Sequence, residues 1–345
     1  MSGKAARIRD VALAAGVSTA TVSRALSNPD LLSEATRNQV FDAIRQTGYR
    51  VNRAARNLRT QRAGAVLVLV PNLGNPFFSR ILAGISAGFA NSDQSVLIAD
   101  TAGHPEKGRA FVEYFRDCRV DGMISLDGSL SEDDLSLFAS NGAGDRIVFA
   151  CEWVQGAAFP SVRSDNEMGA RLAVRHLHDL GHSDIAHVTG PAGSVLTRAR
   201  REGMLDERDR LGLPSRSDCI IRGDFSIDSG REAARRIIAM KNRPTAVFCA
   251  SDMVAFGLIA TLADAGISVP GDISVVGFDD IEMSGYYIPA LTTIRQDRHG
   301  LGLRAAQLLI DRLEGPEGTV PADHAELIDV TLIERDSTAP PGQRP

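Results

Sequence analysis

The sequence predicts a small all-α head carrying a helix-turn-helix, followed by an α/β body of two lobes built on doubly wound parallel sheets. Three observations predict it. Ile8 to Arg24 reads as two short helices around a tight turn, apolar runs of strand length alternate with amphipathic stretches from residue 64 onward, and the charge divides unevenly between the two parts. At 345 residues the chain exceeds one hydrophobic core, so two or three domains are expected.

The head begins with Asp10, Val11, Ala12 and Ala15, one helical face with an acid in its first turn. Gly16 allows the left-handed backbone of a sharp turn, Ser18 can cap the next helix, and Val17 and Val22 close a small core. Thr19, Ala20, Thr21, Ser23 and Arg24 remain outward. Compact side chains with one long donor suit a helix that enters a major groove, whereas an ordinary helical hairpin has no need of them. A third helix opens at Ser33-Glu34-Ala35-Thr36, runs through Val40, Phe41 and Ile44, and ends near Gly48.

Residues 1–62 hold eleven Lys/Arg against four acids, a formal +7, which leaves −12 for the remainder of a chain whose net charge is −5. A basic head on an acidic body suits contact with phosphates by the head alone. The following segment, 51–63, has helix formers but few apolar residues, and helices shorter than about 12 to 15 residues are marginal in water. It is expected to order on DNA as a hinge helix. There Leu58, its one large side chain, would act as a minor-groove wedge, while Asn52, Ala55, Arg56 and Arg59 contact the duplex; a plain linker is the alternative.

The pattern D-V-A-x-x-A-G-V-S-x-x-T-V-S-R, then S-E-x-T-R and G-Y-x-x-N-x-x-A-R-x-L-R-T, resembles the LacI/GalR family of bacterial repressors. Asn75-Pro76-Phe77-Phe78, Arg119-Val120-Asp121-Gly122, Val276-Gly277-Phe278-Asp279, Leu291-Thr292-Thr293-Ile294 and Leu332-Ile333-Glu334-Arg335 extend the resemblance through the body, which looks closest to the purine- and cytidine-responsive branch.

Strand runs are expected at 64–70, 95–99, 120–126, 146–151, 184–189, 245–250 and 272–278, with helical stretches at 77–90, 106–118, 166–180, 227–241 and 252–265. So many strands call for two sheets, with ligand in the crevice at the strand carboxyl ends. The family's body is similar to periplasmic sugar-binding proteins. That resemblance implies an N-terminal lobe of 64–164 and 296–325 and a C-terminal lobe of 165–295 and 326–336, with the last strand, Leu327 to Glu334, in the second lobe. The head is expected over 1–50, and the Pro/Gly-rich end, 337–345, is expected to be disordered.

Polar or aromatic residues just past strand ends are the candidate ligand contacts: Asp127, Arg198, Arg200, Phe225 and Asp279. A carboxylate on vicinal hydroxyls, a guanidinium fork and an aromatic wall make a sugar or nucleoside site. The resemblance places Arg200, Phe225, Asp279, Phe77, Ser251 and Trp153 on ligand positions. Ser194 and Leu196 stand where the purine branch has arginine and threonine, which disfavours a purine and favours a sugar or sugar derivative as effector, with a nucleoside as the alternative.

Other functions find less support. His176 and His178 diverge on a helix and His182 follows its end, where a cation suits the dipole, so no metal is expected. No phosphate loop or nucleophile elbow occurs, so neither an enzyme nor a cofactor is expected. Cys118, Cys151, Cys219 and Cys249 form no C-x-x-C pair, and neither disulfides nor zinc are expected. No stretch reaches the roughly 20 apolar residues of a membrane helix, and no apolar run follows the first cations as in an export signal, so a cytoplasmic, nucleoid-associated protein is expected. A solute-binding receptor would lack the head. The expected partners are double-stranded operator DNA, a small effector and a second copy of the chain.

Overall fold

The head is formed by α1 (Ile8–Ala14), α2 (Thr19–Ser27) and α3 (Glu34–Thr47). It is one of two units of a computed structural model that describes residues 6–50, 62–101, 107–140, 142–316 and 320–342; the second unit, the body, begins at Ala63. Each helix starts as its sequence dictates. The Asp10 carboxylate accepts the Arg7 N–H (2.7 Å), and the Ser18 and Ser33 hydroxyls accept the N–H groups of Thr21 (3.0 Å) and Thr36 (3.3 Å). Gly16 (φ 61°) makes the turn. Val11, Ala12, Ala15, Val22, Ala25, Val40 and Ala43 form the core; Phe41 stays partly exposed, and Val40 and small Ala43 are the buried residues of α3.

In the body, β1 (Ala65–Val70), β2 (Ser95–Asp100), β3 (Gly122–Ser125), β4 (Ile147–Ala150) and β5 (Ser161–Ser164) belong to the first lobe, with α4 (Phe77–Gly88), α5 (Lys107–Arg116) and α6 (Glu132–Ser140) between them. The second lobe follows with α7 (Asn166–Asp179), β6 (Ile185–Val188), α8 (Val195–Arg210), β7 (Ile220–Ile221), α9 (Ile227–Ala239), β8 (Ala246–Cys249), α10 (Asp252–Asp264), β9 (Ser274–Asp279) and β10 (Thr292–Gln296). The chain then returns through α11 (Arg298–Glu314) to β11 (Ala325–Ile328) and ends on β12 (Val330–Ile333).

The sheets repeat one order, β11-β5-β4-β3-β1-β2 and β12-β10-β9-β8-β6-β7. All pairings are parallel except β10 with β12. Fully buried strands such as β1 and β9 read as continuous apolar runs because helices cover both faces. The order of strand addition reverses beside β1 and beside β6 while the strands stay parallel, which puts a ligand crevice at the carboxyl ends of each sheet.

Four expectations are corrected. The strand expected over 327–334 is two: β11 pairs with β5 in the first sheet and β12 with β10 in the second, so the last crossing falls at Asp329 rather than at 325–326. The apolar run at 95–99 is not buried; as the edge strand β2, with one neighbour, it leaves Leu97 and Ile98 exposed. Residues 337–342 are not loose. Ser337 is buried, its hydroxyl donates to the Val275 carbonyl (2.6 Å) and accepts the Thr292 N–H (2.8 Å), and Ala339 N–H reaches Ser274 (3.0 Å). His182 is no helix-end cation: it is buried against Thr245, Ser274 and the Ala339 carbonyl, and burial lowers its pKa.

Reciprocal glycines bring helices close. A Cβ on Gly84 of α4 would lie 2.1 Å from the His299 carbonyl oxygen, and one on Gly302 of α11 would lie 2.0 Å from that of Ile81. Gly230 and Gly257 do the same for α9 and α10, each 2.0 Å from the other helix's backbone oxygen.

Candidate functional site

On the head, Thr19, Ala20 and Arg24 are exposed and Thr21 and Ser23 partly so, with Thr19, Ala20, Ser23 and Arg24 along one shallow groove. Thr21 is less free than its exposure implies, since its hydroxyl lies 2.8 Å from that of Ser18 within the cap. Arg24 makes no ion pair among the described residues. The side chains expected on the hinge, Asn52, Ala55, Arg56, Leu58 and Arg59, lie outside the described residues.

In the body, the candidates cluster on the carboxyl ends of both sheets. Arg200, on the buried face of α8, is 2% exposed; its Nε donates to Asn166 Oδ1 (2.9 Å), its Nη1 donates to the Ala250 carbonyl, and Nη1 lies 3.6 Å from Asp279 Oδ1. A buried guanidinium needs such partners to offset lost hydration. Asp279 ends β9 and also accepts Gln296 Nε2 (2.7 Å); burial raises its pKa while Arg200 and Arg298 pull it down, and the net direction is up.

Phe225 follows β7, with the Arg200 guanidinium 5.6 Å from its ring centre, and its carbonyl faces the hydroxyl of Ser251 (3.5 Å), the N-cap of α10. Phe225 (φ 67°), Asp279 (φ 119°), Asp280 (φ 48°) and Cys151 (φ 68°) hold left-handed backbone, a cost of about 1 to 3 kcal/mol each that surrounding structure must impose. Four such residues at one set of strand ends mark a built site.

The first lobe contributes the other wall. Phe77 is buried at the start of α4, and its carbonyl accepts Arg298 Nη1 (3.4 Å), while Arg298 Nη2 donates to the Asp280 carbonyl (2.9 Å). Asp127, past β3, is buried and accepts the Thr101 hydroxyl and the Ser129 N–H (2.8 Å). Trp153 lies under the Arg163 guanidinium, 4.1 Å from its ring centre. Among the described residues no hydrogen bond joins Asp127 or Trp153 to Arg200 or Asp279. Arg198 faces away from Arg200 and donates to Gln155 Oε1 of the first lobe.

Sequence reasoning missed Glu152, Asn166, Asp252, Gln296 and Arg298. Asn166 and Gln296 orient Arg200 and Asp279. Asp252 accepts Ile281 N–H (2.9 Å) and the Ser284 hydroxyl (2.7 Å), holding the chain that leaves β9. Glu152 accepts the Gly128 N–H (3.0 Å). The usable signal was position two or three residues beyond a strand end, which Glu152 and Asp252 satisfy.

The geometry agrees with comparisons to known proteins. Residues 7–52 match the family described as bacterial regulatory proteins, lacI family, and residues 174–338 match a periplasmic binding protein-like domain. The chain is 38% identical over 334 residues to the HTH-type transcriptional repressor CytR of Escherichia coli (strain K12), covering 97% of this chain and 96% of that protein. Among solved structures, the lac repressor dimer bound to operator and the anti-inducer ONPF superposes with a TM-score of 0.83 at 30% identity, over 97% of this chain and 100% of that one. A LacI family regulator from Enterococcus faecium with bound ribose gives 0.70 at 31%, over 80% and 99%. The chain therefore belongs to the lacI family of bacterial regulatory proteins, transcription repressors with a helix-turn-helix DNA-binding head and an effector-binding body.

Proposed function

We propose that two copies bind a pseudo-palindromic operator in the cytoplasm, each presenting Thr19 to Arg24 to one half-site, and that a sugar or sugar derivative held between the lobes sets operator affinity. Two-fold symmetry in the protein calls for two-fold symmetry in the DNA. The observation that carries the effector reading is the buried Arg200–Asp279 pair, a fork and a carboxylate side by side with Phe225 as a wall. This set hydrogen-bonds hydroxyls and stacks on a sugar ring, and it offers no nucleophile with its base, so we read the body as a receptor rather than an enzyme.

Sugar is favoured because the arginine and threonine of the purine branch are absent: Ser194, a short side chain whose hydroxyl accepts the Thr197 N–H, and Leu196, buried in the core, stand in their places. A nucleoside is the second reading, supported by the resemblance of the body to the purine- and cytidine-responsive branch; its ribose would meet the same pair. A thermal-shift screen of pentoses, hexoses and ribonucleosides on wild type and Asp279→Ala, followed by operator titration with any hit, tests both. The expected hit stabilises wild type alone and changes its operator affinity. A hit that stabilises both proteins equally refutes the site, and one that leaves operator affinity unchanged refutes the coupling.

A further inference from the structure

We propose that the second lobe carries another ligand site, at the edge of the cleft, that binds a phosphate group. It is a hollow of about 360 Å³ over the loop between β6 and α8, lined by Thr189, Ser194 and Thr197 and by three arginines, Arg198, Arg201 and Arg222.

Among the described residues no carboxylate lines it. Arg201 and Arg222 have no ion pair or hydrogen bond among the described residues, and Arg198 meets only the neutral amide of Gln155. Residues 63–345 carry a formal −12, so three unopposed cations in one hollow run against the charge of their surroundings. Like charges gathered without a counter-charge repel one another, and an anion between them removes that cost.

Two further features point to the same ligand. The hollow opens on the N-terminus of α8, a helix of 16 residues; Ser194 accepts the Thr197 and Arg198 N–H groups, and the first two N–H groups, of Val195 and Leu196, have no intrahelical acceptor and favour negative charge. Thr197 Oγ1 is buried in its lining and has no hydrogen-bond partner. A hydroxyl that donates to phosphate oxygen would be satisfied.

The hollow adjoins the cleft, sharing Ser194 and Arg198 with its candidate contacts but not Arg200, Phe225 or Asp279. A Cβ on Gly190, another lining residue, would lie 2.2 Å from the Phe225 ring and 2.5 Å from Thr197 Oγ1, so the ring that walls the cleft packs against this loop. A volume near the lower end of small-molecule sites, roughly 300 to 1,000 Å³, holds a phosphorylated sugar as readily as free phosphate.

Calorimetric titration of the full chain at fixed ionic strength, with inorganic phosphate, ribose 5-phosphate, ribose and chloride as probes, tests the site. Both phosphate-bearing probes should bind saturably. Tighter binding of ribose 5-phosphate identifies a phosphomonoester as the ligand, and equal affinity identifies free phosphate. The double variant Arg201→Gln/Arg222→Gln should weaken both by roughly tenfold or more while keeping the wild-type melting curve. Asp279→Ala should leave phosphate affinity within about twofold, because it alters only the cleft. Absence of saturable binding up to about 10 mM phosphate, an affinity unaffected by the double variant, or a loss on Asp279→Ala overturns the proposal.

Discussion

Arg200 organises its surroundings because a charge with 2% exposure must be answered on every side, and Asn166, Ala250 and Asp279 answer it. Among the described residues no such cation is bonded to Glu152. Burial and the neighbouring Asp127 push its carboxyl up to about 7 from an ordinary 4.5, against the opposing pull of the Gly128 N–H and Arg200. A raised pKa means the folded state holds the proton more tightly than the unfolded chain. The contribution of Glu152 to stability is therefore full below about pH 4.5 and is lost as pH rises toward 7. Glu152→Gln, neutral at every pH, should melt about 2 to 4 °C above wild type at pH 8, on the order of 1 kcal/mol for a body of this size, with no gain near pH 4.5. Melting curves at both values decide it, and a gain independent of pH would refute it. Asp279 was legible from its place at the end of a strand run, whereas Arg200, expected just past a strand, lies well inside α8. Glu152 was hidden by its neighbours, because Phe149-Ala150-Cys151 before it and Trp153-Val154 after it read as one apolar run.

Five of the eight body helices among the described residues were legible from apolar spacing, and α8, one of the three that were not, shows why. The face that α8 buries comprises Leu196, Arg200, Gly203, Met204 and Glu207, spaced as a helix requires. Two of the five are charged and one has no side chain, so the apolar period disappears although the burial is real. The same limit hid the glycine contacts, since no apolar pattern announces where two backbones touch. Gly257→Ala drives a methyl to 2.0 Å from the Ile227 carbonyl oxygen, where helix α9 must move. Overpacking of this kind costs about 1 to 3 kcal/mol, while alanine's better helix propensity returns about 1 at most. Urea denaturation should therefore show a lower midpoint for Gly257→Ala. Alanine at Gly266, with φ 71° and open space around it, separates the two effects, because there only backbone strain can act.

For the whole molecule, the division of charge separates two quantities that a single binding curve would merge. The head carries +7 and the body −12, so contact with the phosphates of DNA belongs to the head, whereas Arg200, Asp279 and the Arg298 strap between the Phe77 and Asp280 carbonyls belong to the body. Several phosphate contacts per head imply counterion release, and operator affinity should fall about tenfold to a thousandfold between roughly 50 and 200 mM salt. Lobe closure around an effector instead acts through buried, desolvated groups, which salt screens little. The ratio of operator affinities with and without effector, typically about 5- to 150-fold for such coupling, should then stay within about twofold across that salt range. Fluorescence anisotropy with labelled operator at four salt concentrations, with and without a saturating hit from the thermal screen, measures both. A ratio that collapses toward one as salt rises would place the effector's action on the head's own phosphate contacts, and the two-lobe switch would be wrong.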